Sequence, residues 1–123
     1  MITTFRFNHQ NKQLYVTTKD GKLYYIPLKS FAKYIPFPWD GNTDIFNYPS
    51  LKGLFIDILD EIWMDAPELF DLKLFTIHYS YRGESKKVSY NSWSDARRQY
   101  LKIIKNRDIY SNIFPDFNPE LVQ

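Results

Sequence analysis

Asp57, Asp60, Glu61 and Asp65 lie close enough in sequence to gather on one helix face, where carboxylates could hold a magnesium or calcium ion. That would make a divalent-ion enzyme, but the loop-type calcium motif is missing, and helix faces carry such acids simply to stay solvated. His9 and His78 are far apart, with no carboxylate at a fixed spacing from either, unlike a metal-ligand pattern. The four glycines are scattered, so there is no phosphate-cradling loop. Neither a Ser/His/Asp arrangement nor a glycine-flanked serine is present. With no cysteine, disulfides and thiolate metal sites are excluded. These absences argue against an enzyme, and no cofactor or metal is expected.

Binding chemistry is better represented. Ten Tyr, ten Phe and three Trp make the chain 19% aromatic, and aromatic side chains carry both core and interface energetics. The stretch IPFPWDGNTDIFNYPS has three prolines and no hydrophobic period, yet it holds Phe37, Trp39, Phe46 and Tyr48. A loop that long inside a compact domain is often functional or wraps the core. These four aromatics, together with Asp57, Asp60, Glu61 and Asp65, are the candidate protein-binding residues. A second set, Arg82, Lys87, Ser89, Arg97, Arg98, Lys102 and Lys105, combines hydrogen-bonding and basic groups suited to phosphate contacts.

The segment FTIHYSYRGESKKVSYNSWSDARRQYLKII resembles the strand, basic turn, strand and aromatic-Ser-x-x-Ala helix of arm-type DNA-binding domains in phage integrases. The resemblance spans about a quarter of the chain and lacks the family's third strand in place. It implies a sheet face entering the major groove, with Arg82, Lys87 and Ser89 on DNA. Asp71-Leu72-Lys73 is similar to a fragment of the acid-x-Lys element of restriction-type nucleases, without the earlier strand-borne acid.

These residues need elements to position them. Between Ser50 and Ala66, Leu51, Leu54, Phe55, Ile58, Leu59, Ile62 and Trp63 recur at helical spacing, with the acids on the opposite face. An amphipathic helix follows, with Ser50 as its cap and Pro67 beyond its end. Thr3 to Asn8 alternates as a half-buried strand. Leu14–Thr18 and Lys22–Ile26 flank Asp20-Gly21, which predicts a two-residue hairpin turn pairing Thr18 with Leu23 and Val16 with Tyr25. Leu72 to Tyr81 reads as a longer strand. Arg82-Gly83-Glu84-Ser85 predicts a turn with Gly83 at its first central position, pairing Tyr79 with Val88 and His78 with Ser89. One face of that hairpin displays Thr76, His78, Ser80, Arg82, Lys87 and Ser89. A helix from Ser92 or Ser94 to Asn106 turns Trp93, Ala96, Tyr100, Ile103 and Ile104 inward, leaving Arg98, Lys102 and Lys105 outside.

The expected fold is α+β, an antiparallel sheet of about five strands, two hairpins plus an N-terminal strand, packed against two helices. At 123 residues it reads as a single domain over 1–123, made of hairpin-helix units 1–66 and 72–106 and a tail, 108–123, that folds over the core. No segment nears the ~20 apolar residues of a membrane span, and MITTFRFNHQ lacks the basic-then-apolar order of a signal peptide, so a cytoplasmic protein without membrane contact is expected.

Net charge is +2, but sorted: +5 over residues 1–39, −7 over 40–71 and +6 over 82–107. Blocks that stay apart in space would steer partners; blocks that meet would neutralise one another. Together these features favour a small non-enzymatic binding protein acting through protein-protein contact, as an inhibitor, an immunity-type or an accessory factor. The alternative is a DNA- or RNA-binding module using the second hairpin and basic helix, and the third a divalent-metal-dependent enzyme on the acidic helix face. The expected partner is a protein, with nucleic acid second and a homodimer through the C-terminal tail as a further option.

Overall fold

The computed structural model describes residues 1–120. In chain order it comprises β1 (Ile2–Asn8), β2 (Gln13–Thr18), β3 (Leu23–Pro27), α1 (Leu28–Ala32), α2 (Lys52–Asp65), β4 (Asp71–Leu72), β5 (Phe75–Tyr81), β6 (Glu84–Tyr90), α3 (Trp93–Lys105) and β7 (Tyr110–Pro115). The fold is α+β with antiparallel pairing throughout, as expected. The strands form two sheets, ordered β1-β2-β3-β4 and β6-β5-β7, and the chain divides into two compact units, Met1–Leu72 and Lys73–Gln123. No helix among the described residues is long and apolar enough to cross a membrane.

In the first unit, one sheet face and α2 share a core of Ile2, Leu14, Val16, Ile26, Phe31, Phe46, Phe55, Ile58, Leu59, Ile62 and Phe70. Each such side chain contributes roughly 1.5–3 kcal/mol when fully buried. The β2–β3 register differs from the expected one by a residue. Thr17 pairs with Leu23, Val16 with Tyr24 and Leu14 with Ile26, because the loop is Lys19-Asp20-Gly21 rather than two residues. Gly21 N bonds Thr18 O at 2.9 Å while Gly21 takes φ +83°, the type I turn plus left-handed residue of three-residue hairpins. The slip puts Leu14, Val16, Tyr24 and Ile26 on the core face, and Tyr15 and Tyr25 on the other, where the Arg6 guanidinium lies 5.0 Å from the Tyr15 ring. A one-residue shift must do this, since side chains alternate with period 2.

The acidic helix α2 starts two residues later than the sequence suggests. Pro49–Leu51 forms a 3-10 turn that leads into it, and no side chain caps its N-terminus, so Ser50 is not the cap. Phe55, Ile58, Leu59 and Ile62 are buried as expected, whereas Leu54 is exposed. The proline-rich stretch contains a further 3-10 turn, Thr43–Asn47, whose start is capped by Asn42. It drops Phe46 into the core.

In the second unit, β5 is the central strand. The β5–β6 pairing is shifted by two residues from the expected one, because the two-residue turn falls one position earlier, with Ile77 opposite Val88, His78 opposite Lys87 and Tyr81 opposite Glu84. Gly83 is the second central residue of the turn, not the first. Arg82 and Gly83 take φ +52° and +78°, the pair of positive values a two-residue type I′ turn requires. A two-residue shift preserves the faces, so Phe75, Ile77, Tyr79 and Val88 still share one side and Thr76, His78, Ser80, Lys87 and Ser89 the other. Helix α3 turns Ala96 and Ile103 inward, beside the buried Phe75 and Ile77. The Ser92 side chain accepts from Asp95 N at 3.3 Å to cap it.

Within the tail, Phe117 meets the buried Phe75 edge-on at 5.7 Å. Tyr110–Pro115 is a strand that pairs antiparallel with β5 on the side away from β6. Its pairing therefore lies within its own chain. Residues 121–123 of the expected tail lie outside the described residues.

Candidate functional site

A groove of about 510 Å³ opens in the first unit, walled by Pro27, Leu28, Ala32 and Trp39 and lined also by Asn11, Lys12, Lys29 and Gly41. Three pieces of chain build it. The β1–β2 loop begins with Asn8, whose side-chain oxygen accepts from the amides of Gln10 and Asn11 at 2.9 and 3.3 Å. It ends with Lys12 at φ +53°. Leu28 N donates to Lys12 O at 3.0 Å, pinning that loop to the first residue of α1. Pro27, without an amide, ends β3 and lets α1 begin.

The third piece is the segment around Trp39. Its indole Nε1 donates to Asn42 O at 2.9 Å, and its ring meets Phe46 edge-on at 6.0 Å. Asp40 Oδ1 accepts from Asn42 N, and Asn42 Oδ1 from Asp44 N, each at 2.9 Å. Gly41 between them has φ +87°, a conformation that would strain any residue with a Cβ. Trp39 is thus held at its indole nitrogen and against the Phe46 ring, and is half-buried. A fixed aromatic wall beside apolar residues loses little entropy when something docks on it. The groove's charged lining groups, Lys12 and Lys29, are both exposed.

The other protein-binding candidates divide. Phe46 is interior, packed against Phe7, Phe31 and Phe55 with centroids 5.3, 5.9 and 5.1 Å away. Phe37 and Tyr48 are exposed, Tyr48 by 53%. Asp57, Glu61 and Asp65 stand in solvent on the outer side of α2, joined by Met64 at 82% exposure. Asp60 does not stand with them, because its carboxylate accepts the Ile2 amide at 2.6 Å. Among the described residues, no three His, Cys, Asp or Glu side chains gather to hold a metal ion.

The basic candidates fall on two sides of the second unit. Lys87 and Ser89 lie on the sheet face away from α3, and Ser89 Oγ is 2.8 Å from Thr76 Oγ1. Arg82 sits at the hairpin tip with its guanidinium 5.2 Å from the Tyr81 ring centre. Arg98, Lys102 and Lys105 are exposed on α3, whose inward residues pack on the opposite sheet face. Arg98 is paired with Asp95 at 3.1 Å. Arg97 is occupied structurally, donating from Nε to Pro119 O at 2.9 Å with its guanidinium 5.8 Å from the Trp93 ring centre. One continuous phosphate-binding surface therefore does not form from the whole set.

Two shifted ionisable groups occur in the first unit. Desolvation by burial lowers the Arg6 pKa, with Tyr15 opposing. The Asp20 carboxyl is held below its usual range chiefly by the Thr18 hydroxyl, and secondarily by Lys22. Neither group lines the Trp39 groove.

The ion pairs Lys22–Asp20, Lys86–Glu84 and Arg98–Asp95 each lie inside one basic block. Within the first unit, none found among the described residues joins the acidic block, 40–71, to the basic one, 1–39. Of the groove residues, the sequence singled out Trp39 alone. Lys12, Leu28, Lys29 and Ala32 carry no periodic signal and are gathered by the β1–β2 loop closing on α1. Comparison of the chain with protein-family models, curated proteins and solved structures gave no match in any of the three.

Proposed function

We propose that this is a small non-enzymatic protein-binding domain, of inhibitor, immunity or accessory type, whose first unit takes an acidic, apolar-anchored segment of a partner protein. The observation that carries this reading is the Trp39 groove, where an apolar floor of Pro27, Leu28, Ala32 and Trp39 meets two exposed lysines, Lys12 and Lys29. Interfaces draw most of their energy from a few aromatic anchors in preformed pockets. Charges at the rim add steering and partner choice. An occupant matching this site has one bulky apolar side chain for the floor and carboxylates for the lysines. Within the first unit the ion pair found, Lys22–Asp20, stays inside the basic block, which leaves the basic groove and the acidic face of α2 to act on separate partners.

The test is selection of displayed random peptides on the whole chain, counter-selected on Ala32→Trp, which fills the groove from a helix position, with a thermal melt to check that the variant folds. The expected result is enrichment of peptides with an aromatic or large aliphatic residue flanked by Asp or Glu, lost on Ala32→Trp. Enriched peptides that bind Ala32→Trp equally well, or no enrichment at all, would contradict it.

A further inference from the structure

The second unit carries a different site. We infer that the sheet face opposite α3 binds single-stranded nucleic acid, with a base stacked on Phe114 and His78 and the adjoining phosphate on Lys87. Three rows of side chains cross this face. The middle row is Lys87, His78 and Phe114, directly opposed across β6, β5 and β7. On one side of it lie Ser89 and Thr76, hydroxyl to hydroxyl at 2.8 Å, and on the other Ser80, which accepts from Asn112 Nδ2 at 3.3 Å. Phe114 is 63% exposed although it sits in a paired strand, and its ring lies 6.4 Å from His78, tilted by 41°. An aromatic side chain left open on a sheet does not serve the core. The apolar face of the same sheet is already covered by Ala96 and Ile103 of α3.

The chemistry around this platform selects its ligand. A cationic amine stands beside the aromatic pair, and hydroxyls and an amide flank it, which are the groups that hold a phosphate backbone and base edges. The carboxylate in these rows, Asp116, is tied to the strand by accepting Thr76 N at 2.8 Å. Glu84 points to the other face, paired with Lys86 at 3.2 Å. Bases in a duplex have their faces buried in the stack, whereas a single strand offers them to an aromatic platform.

The experiment is fluorescence anisotropy of labelled 15-mer oligo-dT, oligo-U and a mixed-sequence duplex, titrated with the full chain at low and moderate salt. Single strands should bind more tightly than the duplex, with affinity falling as salt rises. Phe114→Ala should weaken binding by about ten-fold or more, Phe114→Trp should retain it, and Lys87→Glu should weaken it and flatten the salt dependence. The comparison of oligo-dT with oligo-U distinguishes DNA from RNA as the source. Thermal melts of each variant check folding, and Phe114 is exposed enough for its truncation to be tolerated. Absence of single-strand binding at low salt, preference for the duplex, or indifference to Phe114→Ala would each overturn the inference.

Discussion

The amide of Ile2 donates to Asp60 Oδ1 at 2.6 Å across 58 residues of sequence, tying the first strand to the middle of α2. One member of the acidic helix face is therefore spent on holding the fold, while Asp57, Glu61 and Asp65 remain in solvent. Removing a partner from a part-buried amide costs about 1–3 kcal/mol. Asp60→Ala should lower unfolding free energy by that amount in urea denaturation, whereas Asp57→Ala and Glu61→Ala should stay within about 0.5 kcal/mol of the parent. Equal effects at all three positions would refute the distinction.

Phe46 and its neighbours predict a second split. Its ring is surrounded by Phe7, Phe31, Trp39 and Phe55, so Phe46→Ala should cost roughly 3–5 kcal/mol. Phe37→Ala and Tyr48→Ala, at exposed positions, should cost about 0.5 kcal/mol or less. Denaturant midpoints decide this. A large loss at Tyr48 would mean that the segment is held through a contact other than Phe46.

Asp20 gives a pH signature. The Thr18 hydroxyl donates to Asp20 Oδ1 and depresses the carboxyl pKa from 3.8. A depressed folded-state value stabilises above the unfolded value and is lost as pH falls through the folded one. Asp20→Asn should therefore be less stable than the parent near pH 7, with the gap closing as pH falls through the lowered folded-state value. A gap independent of pH would show that the hydroxyl contact, not the charge, matters.

The hairpin tip predicts opposite effects at neighbouring positions. Gly83 at φ +78° should not tolerate a side chain, so Gly83→Ala should destabilise by about 1–2 kcal/mol. Arg82 also sits at positive φ, +52°, where Asn is better suited. Arg82→Asn should raise the melting temperature or leave it unchanged, and a fall comparable to that of Gly83→Ala would argue against the type I′ turn.

Periodicity made much of this fold legible and failed where turn geometry decides. The buried face of α2 and the split faces of β5 follow from side-chain spacing alone. The β2–β3 register does not, because Asp20-Gly21 suits a two-residue turn as well as the three-residue one adopted, and that single residue exchanges Tyr24 for Tyr25 on the core face. At Arg82-Gly83 the difference is two residues, so the strand side chains keep their expected faces. Phe114 belongs to a tail expected over the core, and β7, ended by Pro115, offers only a weak alternation; its exposure comes from pairing with β5, a relationship 36 residues distant in sequence, between His78 and Phe114. The Trp39 groove was half legible, since aromatic residues in a proline-rich stretch flag it while its lysines arrive from elsewhere.

The groove is tested most directly by titrating the isotopically labelled chain with a selected acidic peptide and following backbone amide shifts by NMR. The largest changes are expected at Lys12, Leu28, Lys29, Ala32, Trp39 and Gly41, with affinity reduced about ten-fold or more when Lys12→Glu and Lys29→Glu are combined. Shifts centred on another surface, with those residues unmoved and the lysine reversals silent, would contradict it.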